Sequence, residues 1–153
     1  MPPVRSSGVL LYRRTGGRVE VLLGHMGGPF WAKKDDGAWS IPKGEHDPDE
    51  DAEAAARREF AEELGCPVPA AELHSLGEVK GRKLLAVWAG EGDLDAAAIT
   101  SNTFELEWPP RSGRLQQFPE IDRAAWFDLD TARTKLVKAQ LPFLDRLAAH
   151  LAS

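Results

Sequence analysis

Two apolar runs, Gly8-Val-Leu-Leu-Tyr12 and Arg18-Val-Glu-Val-Leu-Leu23, flank Thr15-Gly16-Gly17. This pattern predicts two strands joined by a tight turn. Over 24–36 the pattern breaks up, and Gly, Pro and Lys predict a long loop carrying Phe30 and Trp31, large aromatics that suit a binding face. A short apolar segment, Ala38-Trp-Ser-Ile41, leads into Pro42-Lys43-Gly44. After His46 the period changes: Ala52, Ala56, Phe60 and Leu64 recur every four residues, the spacing of one helix face. Asp47 as the cap, Pro48 at the first helical position and Glu50 three residues after the cap predict where this helix starts, and Gly65 with Pro67 predicts where it stops. Further strands are predicted over 71–79 and 83–89 with Gly81-Arg82 at the turn, over 104–108 before a Pro-rich loop at 109–113, and over 124–129. Residues 96–99 are weakly patterned. Residues 130–152 are helical in composition, with Pro142 either kinking that helix or opening a second. Strands before and after one long helix, with a second helix at the end, predict an α/β layered domain.

Size and composition narrow this picture. A chain of 153 residues suits one domain over 1–153, and 42% apolar with 28% charged residues suits a soluble globular protein. No stretch approaches the ~20 apolar residues of a membrane-spanning helix. The N-terminal Met1-Pro-Pro-Val-Arg-Ser-Ser-Gly has no apolar signal core, so a cytoplasmic location without membrane attachment is expected. Cys66 stands alone, which excludes an internal disulfide and a thiolate metal cage; it reads as a small buried hydrophobe at a helix end. His25, His46, His74 and His150 are scattered without H-x-x-H spacing. A net charge of −5 argues against duplex nucleic acid as a partner and leaves small phosphorylated ligands open, because metals can neutralise them. A homodimer is compatible with the sequence.

Residues 44–66 hold nine of the 24 carboxylates and only two arginines. On a helix Glu59, Glu62 and Glu63 fall within an arc of about 100°. Like charges at these spacings repel by a few tenths of a kcal/mol per pair, and a divalent cation offsets that cost. Hard oxygen ligands in this arrangement suit Mg²⁺ or Mn²⁺. A solvated acidic face explains the same charge, and counting carboxylates leaves both readings open.

The full spacing carries more. Gly44, five residues, Glu50, seven residues, then Arg58-Glu59-Phe60-Ala61-Glu62-Glu63-Leu64-Gly65-Cys66 fills every fixed position of the Nudix box, with Cys66 where a larger aliphatic residue is more usual. Trp39-Ser-Ile-Pro-Lys-Gly44 is similar to the approach to that box, and Pro119-Glu120-Ile121 followed by Ala125-Trp-Phe127 resembles the entry to the last core strand. The chain therefore resembles the Nudix hydrolases. The resemblance implies an α/β/α sandwich around a mixed β-sheet and metal-dependent hydrolysis of a diphosphate linked to another group. It implies that Glu59, Glu62 and Glu63, with a backbone carbonyl at or beside Gly44, hold Mg²⁺ or Mn²⁺. Arg58 and Glu50 would pair and orient these carboxylates, and Glu59 or Glu120 would be the general base. Lys43, Arg111 and Arg114 are candidates to meet phosphates, and Trp31 or Phe30 to stack on a base, while Trp39, Trp88 and Trp126 lie in strand patterns and read as core. The expected substrate is a nucleoside triphosphate or dinucleoside polyphosphate. Sugar or inositol diphosphates, a nucleotide sensor without turnover and an RNA 5′-end processor are the alternatives.

Overall fold

The computed structural model describes residues 4–153; the first three residues of the segment read for a signal core lie outside them. In chain order the strands are β1 Val4–Thr15, β2 Arg18–Met26, β3 Trp39–Ser40, β4 Lys43–His46, β5 His74–Lys80, β6 Lys83–Glu91, β7 Thr103–Glu107, β8 Leu115–Pro119 and β9 Ile121–Asp128. The helices are α1 Ala52–Leu64, α2 Leu129–Lys135 and α3 Leu141–Ala152. The predicted hairpin joins β1 to β2, with Thr15 opposite Arg18. Gly16 and Gly17 both take positive φ, 58° and 80°, the two-residue turn whose twist matches the strands.

Seven strands form one sheet in the order β3-β2-β1-β6-β5, with β4 added to β1 and β9 to β2. β1 and β6 run parallel while the other pairs are antiparallel, so the sheet is mixed. Alternation along β1 and β2 then builds two cores. Val9, Leu11 and Leu22 pack with Ala56, Phe60 and Leu64 of α1. Leu10, Val21 and Leu23 pack with Phe143, Leu144 and Leu147 of α3 on the opposite face. The result is helix, sheet, helix, as the resemblance implies.

Several elements differ from the sequence reading, each for a local reason. The strand predicted from residue 71 begins at His74, because Arg57 takes the carbonyls of Ala70 and Ala71 with its guanidinium at 3.1 and 3.0 Å. Residues 43–46, read as a lead-in, form β4 on β1. β8 pairs with β7 as a separate two-stranded ribbon; with Leu115, Gln116 and Gln117 exposed, it shows no burial pattern to read. Residues 96–98 make one 3-10 turn capped by Asp95. Pro142 opens α3 rather than kinking a longer helix.

Candidate active site

The site is built on β4 and α1. In β4, Gly44 lies opposite Ser7 and Lys43 opposite Gly8, so successive residues point to opposite faces of the sheet. Gly44 faces α1 at very short range: a Cβ added there would fall 1.8 Å from Glu59 Oε2 and 2.1 Å from its Cδ. Only glycine lets the Glu59 carboxylate lie against the backbone at this point.

The helix starts later than predicted. Residues 47–50 close a turn, with Glu50 N donating to the Asp47 carbonyl at 3.1 Å. Asp51 is the cap, its Oδ2 accepting from Ala54 N at 2.9 Å. The turn is held to β1 through His46, whose Nδ1 donates to the Asp47 carbonyl (2.9 Å) while its Nε2 accepts from Ser7 Oγ (2.7 Å). The delayed start leaves Glu50 outside the helix and free to meet Arg58. Arg58 Nε and Nη2 donate to the two oxygens of Glu50, both at 3.0 Å. Its Nη1 donates to Glu59 Oε1 at 2.9 Å and to Glu62 Oε1 at 3.1 Å. One guanidinium therefore organises three carboxylates, and the bidentate pair pulls the Glu50 carboxyl below its ordinary pKa.

Within the buried stripe of α1, Ala55 and Glu59 join Ala56, Phe60 and Leu64, whereas Ala52 is only partly buried. Glu59 is 7% exposed, and burial followed by the neighbouring Glu62 raises its pKa, with Arg58 opposing both. Glu63 Oε1 accepts from Lys43 N at 3.2 Å. Burial pushes the Glu63 carboxyl up to about 8, and Glu120 and Glu59 add to that while Lys43 opposes it. Among the described residues no three acidic or imidazole side chains already converge as a cage; Arg58 instead takes one oxygen each of Glu59 and Glu62. The donor set fits a hard divalent cation all the same. Two crowded carboxylates are driven towards protonation, and a bare backbone stands beside one of them.

Glu120 sits between β8 and β9. Its N donates to the Asn102 carbonyl, and Asn102 N donates to the Glu62 carbonyl near the end of α1. The Glu120 carbonyl in turn accepts from Gly27 N at 2.9 Å, which ties Glu120 to the loop carrying the aromatics. In that loop Phe30 is 61% exposed and meets the Trp108 ring edge-on at 5.4 Å. Trp31 packs partly buried against the α3-side core, with Lys34 Nζ 5.2 Å from its ring centroid. Trp39 is buried as expected, and Trp88 and Trp126 pack half-buried on the α1 side. Arg111 and Arg114 are exposed between β7 and β8, where Arg111 N donates to Glu107 Oε1.

The profile of the NUDIX domain family matches residues 2–147. The chain belongs to that family. It is a Nudix hydrolase. It is 28% identical, over 164 aligned residues covering 99% of this chain and 93% of the relative, to an RNA pyrophosphohydrolase of Rhodospirillum rubrum. Its fold matches a binary complex of the Ap4A hydrolase of C. elegans at a TM-score of 0.65, with 24% identity over 97% of this chain and 98% of that one. It also matches the NUDIX domain of Shewanella oneidensis NrtR bound to ADP ribose, at a TM-score of 0.66 and 16% identity over 99% and 90%.

Two features of this Nudix hydrolase escaped the sequence reading. His25, fully buried, holds Nδ1 at 2.8 Å from Asp122 Oδ1 and Nε2 at 2.6 Å from the Lys34 carbonyl oxygen, pinning the aromatic loop to β9. The pairing spans 97 residues, so no local pattern announces it. The second is a cavity of about 240 Å³ beside Lys43, lined also by Ser6, the β5–β6 turn and Gln140. The basic turn Lys80-Gly-Arg-Lys83 was its one visible trace.

Proposed function

We propose that this Nudix hydrolase, acting as one domain over 1–153, cleaves a diphosphate linkage in a nucleoside triphosphate or dinucleoside polyphosphate, using Mg²⁺ or Mn²⁺ and attack of water at phosphorus. The observation that carries this reading is the Arg58 hub: one guanidinium orients Glu50, Glu59 and Glu62 beside a glycine backbone that Glu59 touches. Glu59, Glu62, Glu63 and the backbone at Gly44 would hold the cation. Bound there, it would neutralise phosphate charge and acidify the attacking water. Arg58 and Glu50 keep the carboxylates in place, because a bidentate pair restricts rotation. Glu120 is the base the geometry favours over Glu59. Its side chain makes no hydrogen bond among the described residues, whereas Glu59 Oε1 is taken by Arg58. Lys43, Arg111 and Arg114 would meet the phosphates, and Phe30 with Trp31 the base. The likeness to an Ap4A hydrolase and an RNA pyrophosphohydrolase supports a nucleotide substrate with consecutive phosphates. A second reading, removal of 5′ phosphates from RNA, is favoured by the relative that covers nearly the whole chain.

A panel of diphosphates with Mg²⁺ or Mn²⁺, including ATP, Ap4A and 5′-triphosphorylated RNA, tests both. Product mass identifies the substrate class, and ¹⁸O water identifies the phosphorus attacked. Glu62→Gln and Glu63→Gln should each cut kcat by several orders of magnitude at unchanged circular dichroism. Near-normal turnover in either variant would remove α1 from the mechanism. Nucleotide binding without hydrolysis of any panel member would turn the protein into a sensor.

A further inference from the structure

β9 pairs with β2 in steady register from Glu20 opposite Asp128 to His25 opposite Arg123; Met26 then lies opposite Ile121, so Asp122 is an extra residue on β9. A bulge of this kind changes the face that the residues beyond it meet. Ala124 and Trp126 pack on the α1 side of the sheet, and Ala125 and Phe127 on the α3 side. Unbroken alternation would carry Ile121 to the α3 side as well. It is buried instead among the α1-side residues, against Gly24, where an added Cβ would fall 2.4 Å from Ile121 Cδ1. Glu120 directly precedes Ile121, so the extra residue resets the direction of its side chain too.

The extra residue of a bulge has no partner in the ladder, and here a buried side chain supplies one. His25 is fully buried and edge-on to Trp39 at 5.2 Å, with Nδ1 2.8 Å from Asp122 Oδ1. Its Nε2 is 2.6 Å from the Lys34 carbonyl oxygen, so both ring nitrogens are engaged and the ring is fixed in its plane. The backbone around Glu120 is held in turn. Glu120 N donates to the Asn102 carbonyl at 2.9 Å, its carbonyl accepts from Gly27 N at 2.9 Å, and Ile121 N donates to Ser101 Oγ at 3.0 Å. Gly27 approaches so closely that an added Cβ would fall 1.9 Å from the Pro119 carbonyl oxygen. A carboxylate on a backbone held in this way reaches only where the bulge aims it.

We propose that His25 is a positioning residue: through Asp122 it locks the β9 bulge, and the locked bulge aims the Glu120 carboxylate at the α1 carboxylates. The role of Glu120 as base rests on the function proposed above; the lock on the bulge does not.

Asp122→Ala, Asp122→Asn, Glu120→Gln and the double variant Glu120→Gln/Asp122→Ala test this in the full chain. Three quantities are read: turnover of the diphosphate that the wild type hydrolyses, Mn²⁺ affinity, and hydrogen exchange of the Gly27 amide. Asp122 is partly exposed, so its truncation should leave the circular dichroism intact. Asp122→Ala should lower kcat by at least about tenfold, because misplacing a reacting group by ~1 Å costs on the order of 10²-fold, while Mn²⁺ affinity stays within about twofold because α1 is untouched. Asn offers His25 both a donor and an acceptor, so Asp122→Asn should keep kcat within about threefold of wild type. In the double variant Asp122→Ala should add no further loss, because the group it aims has been removed. Gly27 exchange should quicken by about tenfold in Asp122→Ala and stay at the wild-type rate in Asp122→Asn. Wild-type kcat in Asp122→Ala beside an impaired Glu120→Gln, a multiplied loss in the double variant, no rescue by Asn, or unchanged Gly27 exchange in Asp122→Ala would each overturn the proposal. Full activity in Glu120→Gln would instead remove Glu120 as base, and a wild type that hydrolyses no diphosphate would remove the proposed function; in both cases Gly27 exchange and its rescue by Asn decide the lock alone.

Discussion

Gly44 and Glu63 show how single atoms set the chemistry of this site. A methyl group at position 44 would overlap the Glu59 carboxylate, so Gly44→Ala must swing that carboxylate away or shift β4. We expect Gly44→Ala to weaken Mn²⁺ binding by at least tenfold in calorimetry, with about 1–3 kcal/mol of stability lost as overpacking. Glu63 gives a pH signature. Its folded pKa, about 8, lies above its ordinary 4.5, so the folded protein holds a proton that the unfolded chain has released. Stability of the metal-free protein is therefore greatest below pH 4.5 as far as Glu63 is concerned, falls as pH rises through the interval, and levels off above 8. Metal uptake must displace that proton, so Mn²⁺ affinity should climb by about tenfold per pH unit below 8 and then flatten. Calorimetry in buffers of different ionisation enthalpy checks it: no proton released at pH 7 would mean that Glu63 is ionised before metal arrives.

At the scale of the element, the start of α1 separates local propensity from tertiary placement. Asp47-Pro48 with Glu50 has every mark of a helix start, yet the chain closes a turn there and Asp51 caps the helix instead. The Ser7–His46 contact to β1 holds that turn, and the displaced Glu50 gains a bidentate arginine. Asp51→Ala should therefore cost about 1 kcal/mol by denaturant titration, and Asp47→Ala much less. Equal losses would return the cap to Asp47. The β7–β8 ribbon makes the complementary point. It pairs only with itself, so its strands lack the buried face that makes strands readable, and half of it was missed.

For the whole molecule, the two cores lie on opposite faces of one sheet and serve different ends. Phe60 belongs to the α1 side and Phe143 to the α3 side. Phe143→Ala should cost about 3–5 kcal/mol of stability. Because α1 packs on the other face, kcat measured well below the new Tm should stay within about twofold of wild type. A large loss of kcat at that temperature would mean that the far core also sets the site. Among the described residues no helix is long and apolar enough to cross a membrane, in line with the hydropathy of the chain. The layered α/β order, the glycine turn at 16–17, the acidic helix and the spacing that puts Glu59 and Glu62 within reach of Arg58 were all determined by the sequence, because each depends on neighbours within a few residues or on a fixed helical repeat. Only the tertiary structure decided that Asp51 caps α1, that Glu120 is tied through Asn102 to the end of α1, that His25 ties the aromatic loop to Asp122, and that a cavity opens beside Lys43. Those contacts join residues far apart in the chain, and the sheet register that brings them together leaves no periodic trace in the sequence.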